Sequence, residues 1–482
     1  MLTTRRLFTA ILFVALFVMT TREIADPDFW WHLRTGQFIL ETQTIPHGDP
    51  FSATNAGKTW VTHEWLAEVL LYAVYALGGF PALILAFAAL ITLTFAFVYA
   101  RCAGKPYVAA FAVLLAAIAT AITWGVRPQM LSLLLTSVFL VALDHWEKTP
   151  SRAIWILPGW MLLWVNLHSG YALGIVIVAV YLFGALCRAG LTARALALNF
   201  RSPSAQLFFV LIACLLAVLV NPNGATMFGY PFETLTSDAM QAYIQEWFSP
   251  DFHRLEFQPF AWLLLGTLAA LAFAGKRVSL TQTILLGGFG YAALRSARNI
   301  PIFAIIAAPI LADALWQIVA TAGGAKFFAA PKIRAPRGLI ALNWIVLALI
   351  VLAGSARVAL VVTNQHAVER AKFPAAAVDF LRAEHFAGNV YNAYGWGGYL
   401  IWRLYPQTRV FIDGRADVYG DAFIENVFLK TYRAGADWRA PLDQFAVRVV
   451  LVEPGAPLAA QLAREPAWQK IYGDDQAVIY RR

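Results

Sequence analysis

The chain has 482 residues, is 60% hydrophobic and 13% charged, and has a mean hydropathy of +0.62. It is far more apolar than the roughly 45–50% of soluble domains, so it reads as an integral membrane protein. A formal charge of +9 does not point to nucleic acid here, because the basic residues sit in short loops between apolar runs, where they set membrane orientation.

The apolar runs, about 16 to 24 residues each, suit transmembrane helices, and without period-2 alternation a barrel is not indicated. The first, "LFTAILFVALFVM" after Arg5 and Arg6, has no A-x-A-like cleavage site behind it and reads as a retained span. Spans are predicted over 7–21, 80–100, 107–124, 129–145, 153–166, 170–187, 205–220, 259–274, 279–294, 299–319 and 339–362, about eleven in all. Residues 63–78 are helical in pattern but are cut from the next run by "GGFP", so they read as an interfacial helix. The expected fold is therefore an α-helical polytopic bundle over 1–362, with outer loops 22–79 and 221–258, followed by an α/β domain over 363–482. In that last segment helix-like and strand-like stretches alternate, "AAAVDFLRAEHF", "TRVFIDG" and "VRVVLVE" among them.

Orientation follows from basic residues. With the N-terminus cytoplasmic, Arg5, Arg6, Arg101, Lys105, Lys148, Arg152, Arg188, Arg194, Arg201, Lys276, Arg277, Lys326, Lys332, Arg334 and Arg337 all fall inside, against about half that number outside. An odd number of spans then places the C-terminal domain on the outer side of the plasma (inner) membrane. The polar residues sort in the same way. "DPDFWWHLR", "THEW", "RPQ", "NLHSG", "NPNG", "QEWFSPDFH" and "RSARN" all land outside.

Ionisable groups at span ends usually face a bundle interior or a watery cavity and mark a site. Asp26, Asp28, His32, His63, Glu64, Arg127, His168, Glu246, Asp251, Arg295 and Arg298 form that set. Trp30, Trp31, Trp60, Trp65 and Trp124 read better as an interfacial aromatic belt. Oxygen donors such as Asp26 and Glu64 suit Mg²⁺ or Mn²⁺, with substrate phosphate completing the shell, but no HExxH-like spacing fixes a metal. Cys102, Cys187 and Cys214 are scattered and support neither a disulfide framework nor a thiolate site.

The order of features resembles the GT-C superfamily of integral-membrane glycosyltransferases, which use polyprenyl-phosphate or polyprenyl-diphosphate sugars. "DPDFWWHLRTGQFIL" is similar to the D-P-x-F-N-x-R segment of the oligosaccharyltransferase catalytic subunit, which makes Asp26 the counterpart of its key carboxylate and sets Arg34 near its arginine. "YNAYGWGGYLIW" and "VFIDGRADVYG" resemble elements opening that subunit's outer domain. The W-W-D triplet is absent, with Asn392, Ala393 and Tyr394 in its place, so sequon recognition is not implied.

Sugar transfer at the outer face needs a carboxylate to take or orient the acceptor's proton and cations to stabilise the departing phosphate. Asp26 is the expected base, with Asp28 behind it. Arg127, Arg295 and Arg298 are the expected phosphate ligands, because guanidinium matches phosphate oxygens bidentately; Arg295 and Arg298 would share a face on a continuous helix. His32, His63, Glu64, His168, Glu246 and Asp251 are expected to hold the acceptor or a cation. In the outer domain Asp413, Arg415 and Asp417 could reach the site, although a turn closed by a local ion pair explains them equally well. The acceptor, whether glycan, lipid or protein, is not specified. The rival reading is a transporter or lipid-handling protein, which would favour interrupted spans in two repeated halves with charges at mid-membrane; no internal repeat is evident.

Overall fold

The computed structural model describes residues 1–190, 202–275, 277–326 and 336–482. Arg194, Arg201, Lys276, Lys332 and Arg334, used above for orientation, lie outside the described residues.

Each predicted apolar run is helical, beginning with α1 (Thr4–Thr20). Among the described residues, six helices are long and apolar enough to cross a membrane by length and composition: α3 (Trp65–Arg101), α5 (Gln129–Lys148), α7 (Tyr171–Arg188) and the stretches Leu255–Ala274, Ala297–Thr321 and Arg337–Lys372. Tyr107–Thr123, Arg152–Leu167 and Pro203–Val218 are shorter apolar segments. The expected interfacial helix and the following span are one element, α3, broken by non-helical backbone at Gly78 and Gly79 with Pro81 just beyond. Gly79 has φ 63°, a conformation that costs glycine little and other residues much. The half before the kink packs on α2 (Phe29–Thr42) so closely that a Cβ at Gly36 would meet the Glu68 carbonyl oxygen at 2.0 Å. The same half reaches the C-terminal domain, where Tyr75 lies edge-on to Trp402.

The last long helix continues through Lys372, so the boundary expected at 362/363 falls inside it. The domain beyond holds a five-stranded sheet: β1 (Gly388–Asn392), β2 (Thr408–Val410), β3 (Val447–Val452), β4 (Gln469–Gly473) and β5 (Val478–Arg481), in the order β2-β1-β3-β5-β4. β1 is parallel to β2 and β3, and β5 is antiparallel to β3 and β4. The first outer loop extends the sheet at its free edge: Ala53 N–H donates to the Val410 carbonyl at 2.8 Å, and Val410 N–H to that of Phe51 at 3.3 Å.

This edge is locked by charge. Arg415 is buried and pairs with Asp413 at 2.7 Å and Asp49 at 2.9 Å, while the Tyr419 hydroxyl donates to Asp413 at 2.6 Å. The guanidinium also lies 4.5 Å from the centre of the Trp60 ring. Asp413 and Arg415 thus join the domain to the first outer loop and do not line the site expected for them; of the two readings left open, the local ion pair is the one found.

The expected aromatic belt is also corrected. Trp30, Trp31, Trp60 and Trp124 are buried inside the protein; Trp30 meets Phe80, Phe373 and Tyr399 edge-on. The C-terminal domain covers rings that lipid headgroups would otherwise meet, and burying them against it removes a large apolar area from water.

Candidate functional site

The carboxyl ends of the parallel strands β1 and β2 point at the Asp26–Asp28 turn. Crossovers leaving the middle of such a sheet in both directions open a crevice at these strand ends, where α/β folds usually bind ligands. Here the approach is very tight. A Cβ at Gly398 would meet the Pro27 carbonyl oxygen at 2.7 Å, and one at Gly414 would stand 1.8 Å from Asp28 Oδ1.

Asp26 folds the turn locally, its Oδ1 accepting the Asp28 N–H at 2.8 Å. Its Oδ2 pairs with Arg127 Nε at 3.0 Å, Arg127 Nη2 lies 3.5 Å from Asp28 Oδ2, and Arg127 Nη1 pairs with Glu246. One guanidinium therefore serves three carboxylates brought from two distant segments, the Asp26–Asp28 turn and the outer loop holding Glu246. Burial, then the neighbouring Asp26 charge, pushes the Asp28 carboxyl up to about 7. Glu246 stays below the usual carboxylate range, because the Arg127 and Arg298 charges outweigh its burial. Arg298 lies over the Trp247 ring at 4.9 Å.

A second cluster centres on Glu64. His63 Nε2 lies 3.0 Å from its Oε1, His168 Nε2 3.4 Å from Oε1, and His32 Nδ1 3.4 Å from Oε2. His32 Nδ1 is also 3.3 Å from Glu68 Oε1. Hydrogen bonds settle the His168 tautomer: Gly170 N–H donates to Nδ1 at 2.9 Å, so the ring proton sits on Nε2 and faces Glu64. Ser132 Oγ, itself accepting from Trp164 Nε1 at 2.7 Å, also meets Nδ1 at 2.8 Å. Burial holds His32 and His168 down to about 3, hence neutral at pH 7. His63 goes the other way: the adjacent Glu64 charge overcomes its burial and raises it. The His63 charge in turn holds Glu64 below the usual carboxylate range in spite of its burial.

The outer loop 221–258 closes over both clusters. Tyr230 stacks on His63, with ring centroids 4.3 Å apart, and its hydroxyl donates to Asp417 at 3.1 Å; Ser237 donates to Asp421 at 2.7 Å. A cavity of about 180 Å³ beneath it is lined by His168, Gln129, Trp247, Arg298, Leu133 and Leu173. A second, of about 350 Å³, has Arg298 and Glu246 in its wall.

Asp26, Asp28, Arg127, Glu246 and Arg298 thus meet at one end of the bundle, beside His32, His63, Glu64 and His168, with Asp417 at the rim. Arg295 does not join them. α12 (Leu280–Arg295) stops there, and Ser296 is extended, with φ −147°, so the helix on which Arg295 and Arg298 would have shared a face is broken. Asp251 is exposed and accepts the His253 N–H in a local turn. Glu68 and Ser132 lie outside the residues expected for the site. Glu68 was readable, four residues after Glu64 on the same helix face; Ser132 carries no sequence signal. Among the described residues no group of three or more His, Cys, Asp or Glu is placed to hold a metal ion; Asp26 is engaged by Arg127, and the His168 nitrogen facing Glu64 carries a proton.

No protein-family model and no curated protein sequence matches the chain. Its fold, however, is similar to several solved structures. An oligosaccharyltransferase from Archaeoglobus fulgidus, in the apo form, aligns with TM-score 0.59 at 12% identity, over 94% of this chain and 70% of that one. ArnT from Cupriavidus metallidurans bound to undecaprenyl phosphate aligns with TM-score 0.53 at 13% identity, over 98% and 97%. The arabinofuranosyltransferase AftD from mycobacteria aligns with TM-score 0.52 at 14% identity, over 100% of this chain and 40% of that one. The chain shares the fold of these three structures.

Proposed function

We propose that this GT-C-fold chain transfers a sugar from a polyprenyl-phosphate-linked donor to an acceptor at the extracytoplasmic face of the plasma (inner) membrane. The N-terminus would lie in the cytoplasm, eleven spans would follow, and the α/β domain would lie outside. The observation that carries the reading is the meeting of Asp26, Asp28, Arg127, Glu246 and Arg298 under the C-terminal domain. The loops holding the basic residues Arg101, Lys105 and Arg188 sit at the opposite helix ends, as the orientation requires.

In the proposed reaction Asp28, more than Asp26, takes the proton. Both Asp26 oxygens are engaged, one by the Asp28 N–H and one by Arg127, which suits it to hold the guanidinium in place. Among the described residues the Asp28 carboxylate meets a 3.3 Å donor, Trp31 Nε1, and Arg127 at 3.5 Å, and, raised to about 7, it is matched to base work near neutral pH. The acceptor O–H loses its proton to Asp28, its oxygen bonds to the anomeric carbon, and the bond from that carbon to the phosphate oxygen breaks. The electron pair leaves on the phosphate, where Arg298 and Arg127 stabilise it.

The test is transfer from a fluorescent lipid-linked sugar by protein reconstituted in nanodiscs, measured between pH 5 and 9. A base must be ionised to act, so the rate is expected to rise with pH through about 7 and level off above. A flat profile with active protein would remove Asp28 from the role. Gly414→Ala supplies a second check. The added methyl would displace Asp28, and a misplacement near 1 Å costs about 10²-fold in rate; unchanged transfer at an unchanged melting temperature would show that the approach of β2 to Asp28 is not needed. Labelling an introduced cysteine in the C-terminal domain from outside intact cells checks the orientation.

A further inference from the structure

Between α1, which ends at Thr20, and the Asp26–Asp28 turn the chain runs through residues 21–25 without helix or strand. Backbone groups in such a stretch must find partners elsewhere once they are buried. Ile24 is buried, and one side chain meets both of its groups: its N–H donates to Gln365 Oε1 at 2.7 Å, and Gln365 Nε2 donates to its carbonyl at 3.1 Å. Gln365 is itself buried and sits on the last long helix, Arg337–Lys372. A carboxamide carries a donor and an acceptor as a peptide group does, so it serves here as a one-residue strand partner. The same helix also bears on the far flank of the turn. Glu369, one helical turn beyond Gln365, accepts from the Tyr399 hydroxyl at 2.9 Å and lies 3.3 Å from Arg403 Nη1. That fixes the segment holding Gly398, and Gly398 and Gly414 are the positions where a Cβ would strike Pro27 and Asp28. Gln365 thus grips the turn from one side, and the C-terminal domain carried by the same helix grips it from the other.

Resting on the reading of Asp28 as the base, we propose that Gln365 is a positioning residue, which holds the Ile24 backbone so that the Asp28 carboxylate stays seated beneath the C-terminal domain. Asp28 follows Ile24 by four residues, and the close approach on its other side leaves it little room to shift. A side chain that merely capped a buried peptide group would stabilise the fold and do no more. The same helix supplies that case for comparison: Asn343 is buried and donates from Nδ2 to the Leu2 carbonyl at 2.9 Å. Both contacts join residues 341 apart in the chain, so α1 and the last long helix lie side by side in one register, with Asn343 at the end remote from the site and Gln365 at the site.

The test compares Gln365→Met and Asn343→Leu, which keep side-chain size and remove the hydrogen bonds, in full-length protein in nanodiscs. Asp28 is faced by Asp26, Arg127 and Glu246 and, from the C-terminal domain, by Tyr394, so its titration reports where it sits. Infrared difference spectra follow that titration without any substrate, the Asp28 band being identified by its loss in Asp28→Asn. In Gln365→Met the midpoint is expected to fall about one pH unit below that of the parent, as water reaches the carboxylate. Transfer from the fluorescent lipid-linked sugar is expected to fall about 10²-fold in kcat, with KM for the donor changed by no more than about twofold. Asn343→Leu is expected to lower the melting temperature and to leave both midpoint and rate in place. Gln365→Asn, one methylene shorter, keeps the carboxamide; it should give a smaller shift in the same direction, and it decides the matter if the methionine variant does not fold. An Asp28 midpoint unchanged in the folded Gln365 variants, or shifted equally by Asn343→Leu, overturns the inference. If the midpoint shifts as expected but the parent transfers no sugar, the lipid-donor reading falls, and Gln365 stands as the residue that seats this carboxylate.

Discussion

Arg415→Met is expected to loosen the C-terminal domain from the first outer loop, at a cost of about 3–5 kcal/mol. The substitution removes the one guanidinium shared by Asp49 and Asp413, both buried, and leaves two buried carboxylates with hydrogen bonds from Phe51, Ser52 and Tyr419 but no counter-charge. Burial already resists the charge on Arg415, and the two aspartates overcome that resistance and raise its pKa well above the ordinary value. The Trp60 face beneath it would also lose its cation. Thermal melting in detergent and limited proteolysis of residues 43–62 measure the effect. The melting temperature should fall, and cleavage between Asp49 and Asn55 should appear, because this segment is held by the sheet edge and by Thr54 donating to the Phe411 carbonyl at 2.7 Å. Combining Arg415→Met with Asp49→Asn and Asp413→Asn should recover part of the loss, because a buried pair replaced as a unit costs much less than one partner removed. If the single variant melts like the parent, the lock is peripheral and the domain is held by apolar packing alone.

Asp28→Asn is expected to lower transfer about 10²–10⁴-fold, the usual contribution of a positioned base, and to remove the rise of rate with pH. The same change is expected to stabilise the fold at pH 8. The folded carboxyl is raised to about 7, above the ordinary aspartate value of 3.8, so between these values the folded state holds more protons than the unfolded one and stability falls as pH rises. Asparagine has no proton to lose, so the variant should melt higher than the parent at pH 8 and nearly equal to it at pH 4. Loss of activity with gain of stability separates a functional residue from a structural one. Asp26→Asn should behave differently: it frees Arg127 Nε, so the effect should fall mainly on donor binding, with the pH profile kept. If Asp26→Asn flattens the profile and Asp28→Asn does not, the two roles are exchanged.

Much of this protein was legible before its folding was considered. Apolar runs long enough for a bilayer and basic residues biased to one set of loops define the helices and their expected orientation, because hydrophobic length and loop charge act locally. The end of the bundle bearing the site was legible for the same reason: every polar cluster at a span end fell on one side. Individual roles were not. Arg295 and Arg298 looked equivalent until the extended Ser296 parted them, and Asp413 and Arg415 looked like site residues until the sheet edge buried them with Asp49. Trp30 and Trp31 suited a membrane belt by composition, but the C-terminal domain encloses them. That Asp28 can hold a proton near neutral pH depends on its burial beneath the C-terminal domain and on the charge of Asp26 beside it. Charge and desolvation act through space, so only the tertiary structure could decide it.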